Sequence, residues 1–450
     1  MRVLHVSYSW LPAPPGGTEI YVDRLMRDLD SLGVESVVSA PAETGGREVI
    51  DGRAVYRFDA SGKDSTIESV YGGDAAAAVK FGAVLDEVTP DVLHQHAFSP
   101  ACSSALVRLA QARGIPTVFT YHTPTASCVR GTLMRWGTDR CDGLIDPNAC
   151  TKCVLQRHGV PKTLARLAGV VPAAFASGAA RRGLSGGVWT SIRMRRLVEA
   201  YQRDVRALLS SADRIVVLTD WVGELLRRNG VSSDRLVPCA HGVAPVPPPP
   251  PRTTRGRVRL VHLGRLDPVK GTALLLRAMR NAPDAAVDLD IFGVVQDTSA
   301  AAEFNRLAQL ASGDARIRLL PGIPHAEVTG MLAGYDAVVV PSQWMETGPL
   351  VVLEAFAAGV PVIGSNLGGI ADKVQHGHNG LLVSPWNDEQ AWSDALRQAG
   401  DRRSLLQQLA RCVATPRSSA TVAADMARLY RTLCSGGAGA ADLPKSGSLR

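Results

Sequence analysis

The sequence predicts an α/β protein made of two doubly wound units, and three observations carry that prediction. Short apolar runs alternate with segments of helical spacing through the first part of the chain, a proline run, PVPPPPP, interrupts the pattern at 245–251, and the same alternation starts afresh beyond it. A length of 450 residues suits two or three domains of about 150 residues each.

Taken in order, Val3–Val6 reads as a first strand and 12–17 as a Gly/Pro-rich loop. The segment 18–32 then brings Val22, Leu25, Met26, Leu29 and Leu32 to one helical face before Gly33 ends it. Strands follow at 34–38, 91–95 and 116–121, with a helix at 101–113 between the last two. This is the rhythm of a parallel sheet covered on both faces. It breaks after residue 123, so 124–195 reads as an insertion, and resumes with a helix at 194–210, the strand Ile215–Leu218 and a helix at 220–229.

These elements define a first domain over 1–244 and a linker over 245–255, where proline favours an extended chain. A second domain over 256–414 has strands at 258–263, 287–292, 317–320, 337–341, 360–364 and 380–383, and a helix at 387–399. The segment 415–434 is expected to form a helix that returns to the first domain, and 435–450 a disordered tail. Two such units are expected to face each other across a cleft at the carboxyl ends of their sheets, where ligands bind in doubly wound folds.

A composition of 46% hydrophobic and 20% charged residues excludes a disordered chain. The net charge is +7, yet 152–206 alone holds eleven Lys and Arg against Glu199 and Asp204, a net of +9. An excess confined to one region suits an anionic partner such as a membrane surface, a lipid phosphate or a nucleic acid, and equally a solvated basic helix. Without a signal-peptide pattern or an apolar run of about 18 residues, the expectation is a cytoplasmic protein, peripheral at the inner membrane face through 152–206.

Three short stretches carry candidate chemistry. PPGGTE at 14–19 lies between the first strand and the first helix, where Gly16 and Gly17 let the backbone approach a ligand and the helix N-terminus faces an anion. VHLGRLDPVKG at 261–271 takes the matching position in the second unit, with Arg265 and Lys270 in the loop after its first strand, two cations able to neutralise a diphosphate without a metal. WMETGPLVVLE at 344–354 has Pro349 at the first helical position and a carboxylate at each end. Leu350, Leu353 and Ala357 share a face with Glu354, so Glu354 is either a ligand-binding carboxylate, suited to a ribose diol, or a buried acid paired with an arginine. Asp288 and Asp290 sit within an alternating strand and read as structural.

Together, Gly16-Gly17, the strand end Asp91–His96, His122 in FTYHTP, Arg265 and Lys270 in GRLDPVKG, and Glu346 with Glu354 resemble glycosyltransferase family 4. The resemblance covers nearly the whole chain outside the insertion, and PSQWMETGPLVVLEAFAAGVPVIGSNLGG at 341–369 is its most specific part. It implies the GT-B fold of two Rossmann-like domains and a retaining, nucleotide-sugar-dependent enzyme that needs no metal for catalysis. By motif, Gly16 and Gly17 would face the donor diphosphate, and Arg265 and Lys270 would stabilise the charge left there as the sugar departs. Glu346 would hold hydroxyls of the transferred sugar, Gly348, Pro349 and Leu350 would shape that donor loop, Glu354 would hold the ribose, and His122 would orient sugar and acceptor. Two departures touch donor-side loops: Gly368-Gly369-Ile370-Ala371-Asp372 stands where Gly-Gly-x-Pro-Glu is usual, and His241-Gly242 where Asn-Gly is usual.

Cys128, Cys141, Cys150 and Cys153 cluster inside the insertion, and four thiolates with one Cys-x-x-Cys knuckle suit a structural zinc. Free thiols, an iron-sulfur cluster and a redox pair are the other readings. The resemblance adds that some family members carry similar insertions. Cys102, Cys239, Cys412 and Cys434 read as isolated thiols. The acceptor is expected to be a glycan, lipid or small molecule, lipid-linked or otherwise anionic, and no nucleic acid is expected. The competing readings are a phosphorylase or nucleotide-sugar epimerase of the same fold, and a zinc-containing nucleic-acid-binding protein, which leaves the cleft motifs unused.

Overall fold

The computed structural model describes residues 1–60, 62, 66–168, 187–244, 256–294 and 298–436. The linker read at 245–255 and most of the tail read at 435–450 lie outside these residues, as does 169–186 within the insertion. The chain divides into two compact units, one comprising Met1–Ala240 with the chain from Ala423, the other His241–Val422.

The first unit is built on β1 (Arg2–Val6), β2 (Glu35–Ala42), β3 (Gly46–Ile50), β4 (Arg53–Asp59), β5 (Val92–Gln95), β6 (Thr117–Thr120), β9 (Arg214–Val217) and β10 (Leu236–Pro238), while β7 (Met134–Arg135) and β8 (Asp139–Arg140) form a separate ribbon. The eight strands order as β10-β9-β6-β5-β1-β2-β4-β3, parallel except for β3. Every residue of β5 and β6 is buried, as expected of strands covered on both faces. The β3–β4 hairpin was not anticipated from the sequence. Its turn is Asp51-Gly52, both at positive φ, the Asp-Gly signature of a two-residue hairpin.

The insertion is an integral part of this unit. Asp146 caps the helix Pro147–Arg157 by accepting from Asn148 N, with Pro147 at its first position. Val154 and Leu155 of that helix pack with Ala165 against Met194, Leu197 and Val198 of the helix Gly187–Ser211, which starts earlier than the spacing of its apolar residues indicated. Several of the basic side chains here are already engaged: Arg193 with Glu68, Arg195 with Glu199, and Arg206 with the Ile145 carbonyl. Among the described residues no helix is long and apolar enough to cross a membrane.

The second unit is a six-stranded, all-parallel sheet ordered β13-β12-β11-β14-β15-β16. Its strands are β11 (Val258–Arg265), β12 (Val287–Val294), β13 (Ile317–Pro321), β14 (Ala337–Val340), β15 (Val362–Ser365) and β16 (Gly380–Val383). Helices cover both faces, one around the fully buried Trp392 and the other around Val338, Val352 and Ala355. Asp290 is buried on β12 and accepts from Tyr335 Oη and Arg318, which makes it a structural bridge. The last helix, Ser419–Cys434, carries Tyr430 into the core of the first unit, where its hydroxyl meets His94 Nδ1 at 2.6 Å.

Candidate functional site

In each unit the strand order reverses beside the first strand: β1 lies between β2 and β5, and β11 between β12 and β14. Doubly wound sheets hold their ligands at the carboxyl ends of the strands at such a reversal. The predicted residues collect at these two places.

In the second unit, β11 runs through Arg265, which pairs in register with Val294, so Arg265 ends a strand instead of lying in the loop. The ladder continues past Gly264 because Gly293 faces it and parallel pairing needs no side chain. Arg265 is half-exposed, its closest carboxylate being Asp267 at 3.9 Å. The chain then turns through Pro268–Lys270 into the helix Thr272–Asn281, with Gly271 between at φ 77°. A Cβ at Gly271 would lie 1.9 Å from the Pro341 carbonyl, so only glycine lets this turn close on the loop after β14.

That loop carries the chemistry. Glu346 is buried, and its Oε1 accepts from Lys270 Nζ at 2.7 Å, Ser342 Oγ at 2.6 Å and Trp344 Nε1 at 3.1 Å. All three donors meet the same oxygen, and among the described residues no donor reaches Oε2. Burial pushes the Glu346 carboxyl up, but the Lys270 ammonium and these hydrogen bonds outweigh it and hold it below its ordinary range. Gly368 and Gly369 press against the loop from the other side, with Gly369 N donating to the Glu346 carbonyl at 2.6 Å. A Cβ at either glycine would come within 3.0 Å of the Glu346 backbone. The pair therefore fixes the loop, although the Pro-Glu usual after it is missing.

Pro349 is the residue capping the helix Leu350–Ala357, not its first helical residue. Its ψ of 102° is extended while its carbonyl already accepts from Val352 N, which is what a cap position requires. Gly348 touches the buried His241 through its backbone, so the His-Gly that replaces Asn-Gly still meets this loop. Glu354, one turn into the helix, is buried, and its carboxyl is pushed up to about 7 by burial. No arginine pairs with it among the described residues; its neighbour is the half-exposed His325, Nδ1 3.3 Å from Oε1.

In the first unit, Gly16 caps the helix Gly17–Asp30 and Glu19 closes the turn. Glu19 accepts from Gly16 N at 3.0 Å and from Ser7 Oγ at 2.9 Å, tying the glycine loop to the end of β1. His122 follows β6 and lies 3.0 Å from His96 Nδ1 through its own Nε2. His96 in turn reaches the buried His5 on β1. Sequence reading found His122 but missed Ser342 and Trp344 around Glu346, and it missed His5. The alternation of His94 and His96 along a buried strand end was the available signal for the histidine layer.

The four clustered cysteines are neighbours: burial raises the thiols of Cys141, Cys150 and Cys153, and Cys128 adds to the rise in each. Two sulfurs accept backbone hydrogen bonds, Cys141 from Gly143 N at 3.4 Å and Cys153 from Trp136 N at 3.3 Å. The expected four-sulfur site is not closed, however. Among the described residues the set of three or more metal-binding side chains with ligand atoms within 4.8 Å of one another is His5, His94 and His96.

Comparison with known proteins bears on both units. The family described as "Glycosyl transferase 4-like domain" matches residues 16–242, and "Glycosyl transferases group 1" matches 251–412. A D-inositol 3-phosphate glycosyltransferase of Corynebacterium jeikeium is 38% identical over 140 residues, 30% of this chain and 33% of that protein. Another from Rhodococcus opacus is 31% identical over 227 residues, 47% of this chain and 50% of that protein. The chain thus spans half or less of the length of these curated relatives. Among solved structures, a sucrose-phosphate synthase from Thermosynechococcus elongatus superposes with a TM-score of 0.65 at 20% identity, covering 97% of this chain and all of that one. Anabaena Alr3699/HepE in complex with UDP-glucose gives 0.62 at 14% identity over 96% of this chain and 100% of that one. At such identities the likeness is one of fold, the GT-B fold of two Rossmann-like domains. With family matches spanning both units, the chain belongs to the glycosyltransferase 4 family of GT-B proteins.

Proposed function

We propose that the protein is a retaining glycosyltransferase that moves a sugar from a nucleotide-diphosphate donor to an anionic or lipid-linked acceptor, in the synthesis of a glycan or glycoconjugate. The observation that carries this reading is the Glu346 carboxylate, ionised by Lys270 and bonded, among the described residues, through Oε1 alone. Its Oε2 remains to accept sugar hydroxyls. Lys270 pairs with it, and Lys270 together with Arg265 at the end of β11 would stabilise the diphosphate as it leaves, electrostatic stabilisation of that leaving group being the main catalytic contribution. Glu354 holds the ribose, Gly16 and Gly17 face the diphosphate, and His122 orients sugar and acceptor. The attacking hydroxyl enters on the face the diphosphate leaves, and its proton passes to the departing phosphate oxygen, so no enzymic nucleophile and no catalytic metal are required.

The relatives named for inositol 3-phosphate support an anionic acceptor, and the positive charge excess of 152–206 is what would attract it or an anionic membrane face. We also assign a structural zinc to Cys128, Cys141, Cys150 and Cys153. The backbone donors to Cys141 and Cys153 support thiolate ligands, and closing the site requires the sulfurs to draw together.

Thermal unfolding with a panel of nucleoside diphosphates tests the donor assignment. One diphosphate should stabilise the wild type by about 2.7 kcal/mol at a hundredfold excess over its dissociation constant. Arg265→Ala should remove most of that gain. A flat response across the panel would sink the assignment.

A further inference from the structure

Four histidines form one buried layer at the ends of β1, β5 and β6: His5, His94, His96 and His122. Three of them are linked in a line. His5 Nδ1 lies 3.1 Å from His96 Nε2, and His96 Nδ1 lies 3.0 Å from His122 Nε2.

Such a line has a direction. Each link needs one N–H and one lone pair, and a neutral imidazole supplies one of each. If His5 donates to His96, then His96 must donate to His122; if His122 donates, every proton along the line reverses. The end of the line decides between them. His5 Nε2 is buried and has no partner among the described residues. With the protons reversed it would be a buried N–H with no acceptor, the rarer kind of orphan in folded proteins. Charge on His5 is excluded as well, since burial and the Arg53 guanidinium push it down to about 3.

A metal is the competing explanation for three imidazoles this close, and the hydrogen bonds of His94 argue against it. Its Nδ1 meets Tyr430 Oη at 2.6 Å and its Nε2 meets Thr120 Oγ1 at 2.7 Å, so both nitrogens are in use. Both nitrogens of His96 are in use as well, so ligation by His96 would break its link to His5 or to His122.

We infer that His5 and His96 are positioning residues that hold His122 as the neutral tautomer protonated on Nδ1. Resting on the assignment of His122 to the sugar and acceptor, this makes His122 a hydrogen-bond donor to a hydroxyl oxygen and not the base that removes the acceptor's proton. It agrees with that proton leaving on the departing phosphate.

The test is two-bond proton–nitrogen correlation on the full chain labelled with ¹⁵N-histidine, with His122 identified from the His122→Gln spectrum. The expected wild-type spectrum shows His122 with a bare Nε2 and a protonated Nδ1. A protonated Nε2, or an imidazolium at neutral pH, would overturn the inference whether or not the His96→Phe variant folds. In His96→Phe the His122 nitrogens should average between tautomers, and kcat should fall on the order of tenfold or more, with the donor KM little changed. His94→Phe disturbs the same layer outside the line and should leave the His122 tautomer as it is. Retention of the Nδ1–H form in His96→Phe would refute the positioning role. The tautomer is read without substrate, so a failure of the transferase assignment leaves this result standing, and the reverse also holds.

Discussion

At the strand reversal of the second unit, a buried carboxylate is kept ionised by a lysine 2.7 Å away; at that of the first, buried imidazoles are kept neutral and hand hydrogen bonds to one another. The contrast shows two ways to hold polar groups in a low-dielectric place. An ion pair fixes a charge where a ligand needs one, while a neutral chain fixes the direction of protons without placing any charge there. On the proposed function, this would suit the second unit to a charged donor and the first to hydroxyl groups.

The largest way to break this comparison is to remove the lysine. Lys270→Met leaves Glu346 buried and unpaired, and should destabilise its unit by about 3–5 kcal/mol in urea denaturation. The double variant Lys270→Met/Glu346→Gln should recover most of that loss. A single variant as stable as wild type would mean that the pair is solvated.

Glu354 sharpens the contrast, being a carboxylate in the charged unit with no strong cation beside it. Its carboxyl is raised from the ordinary 4.5 to about 7, so the folded state binds more protons than the unfolded one, and stability falls as pH climbs between those values. The fall should be on the order of 3 kcal/mol. In Glu354→Gln that slope should vanish. Equal slopes in the two proteins would show that Glu354 is not desolvated.

The cysteines offer the smallest effect. A zinc bound there would give the first unit its own compensated charge, thiolates against a cation. Metal analysis of the purified chain should find one zinc, and chelation should lower stability by roughly 2.7 kcal/mol at a hundredfold excess of metal over its dissociation constant. A metal-free chain of unchanged stability would leave the four as thiols.

Much of the second unit was legible because its strands are apolar runs bounded by turn residues; 380–383 matches β16 residue for residue. Glu346, Glu354 and Lys270 were legible as charged residues in apolar or glycine-rich settings. Less was legible where partners are distant in sequence. Nothing local tells that Lys270 bonds Glu346, or that the unanticipated His5 meets His96, 91 residues on. The β3–β4 hairpin had a readable turn at Asp51-Gly52, but its outer strand is exposed and polar, so the alternation that reveals buried strands is weak there. Arg265 fell outside its predicted strand because glycine at 264 reads as a turn, whereas across a parallel ladder it faces Gly293 and the pairing continues.

Tyr430 has a consequence for how the chain is made. Its hydroxyl fills the hydrogen bond of His94 across 336 residues of sequence. At a synthesis rate of about 5–20 residues per second, the ribosome delivers Tyr430 tens of seconds after the strand it joins. All of His241–Val422 is delivered in that interval, so the nascent first unit waits with its histidine layer incomplete while the chain of the second is finished. A chaperone that shields exposed core during translation would find its longest-lived target in the unit that is synthesised first.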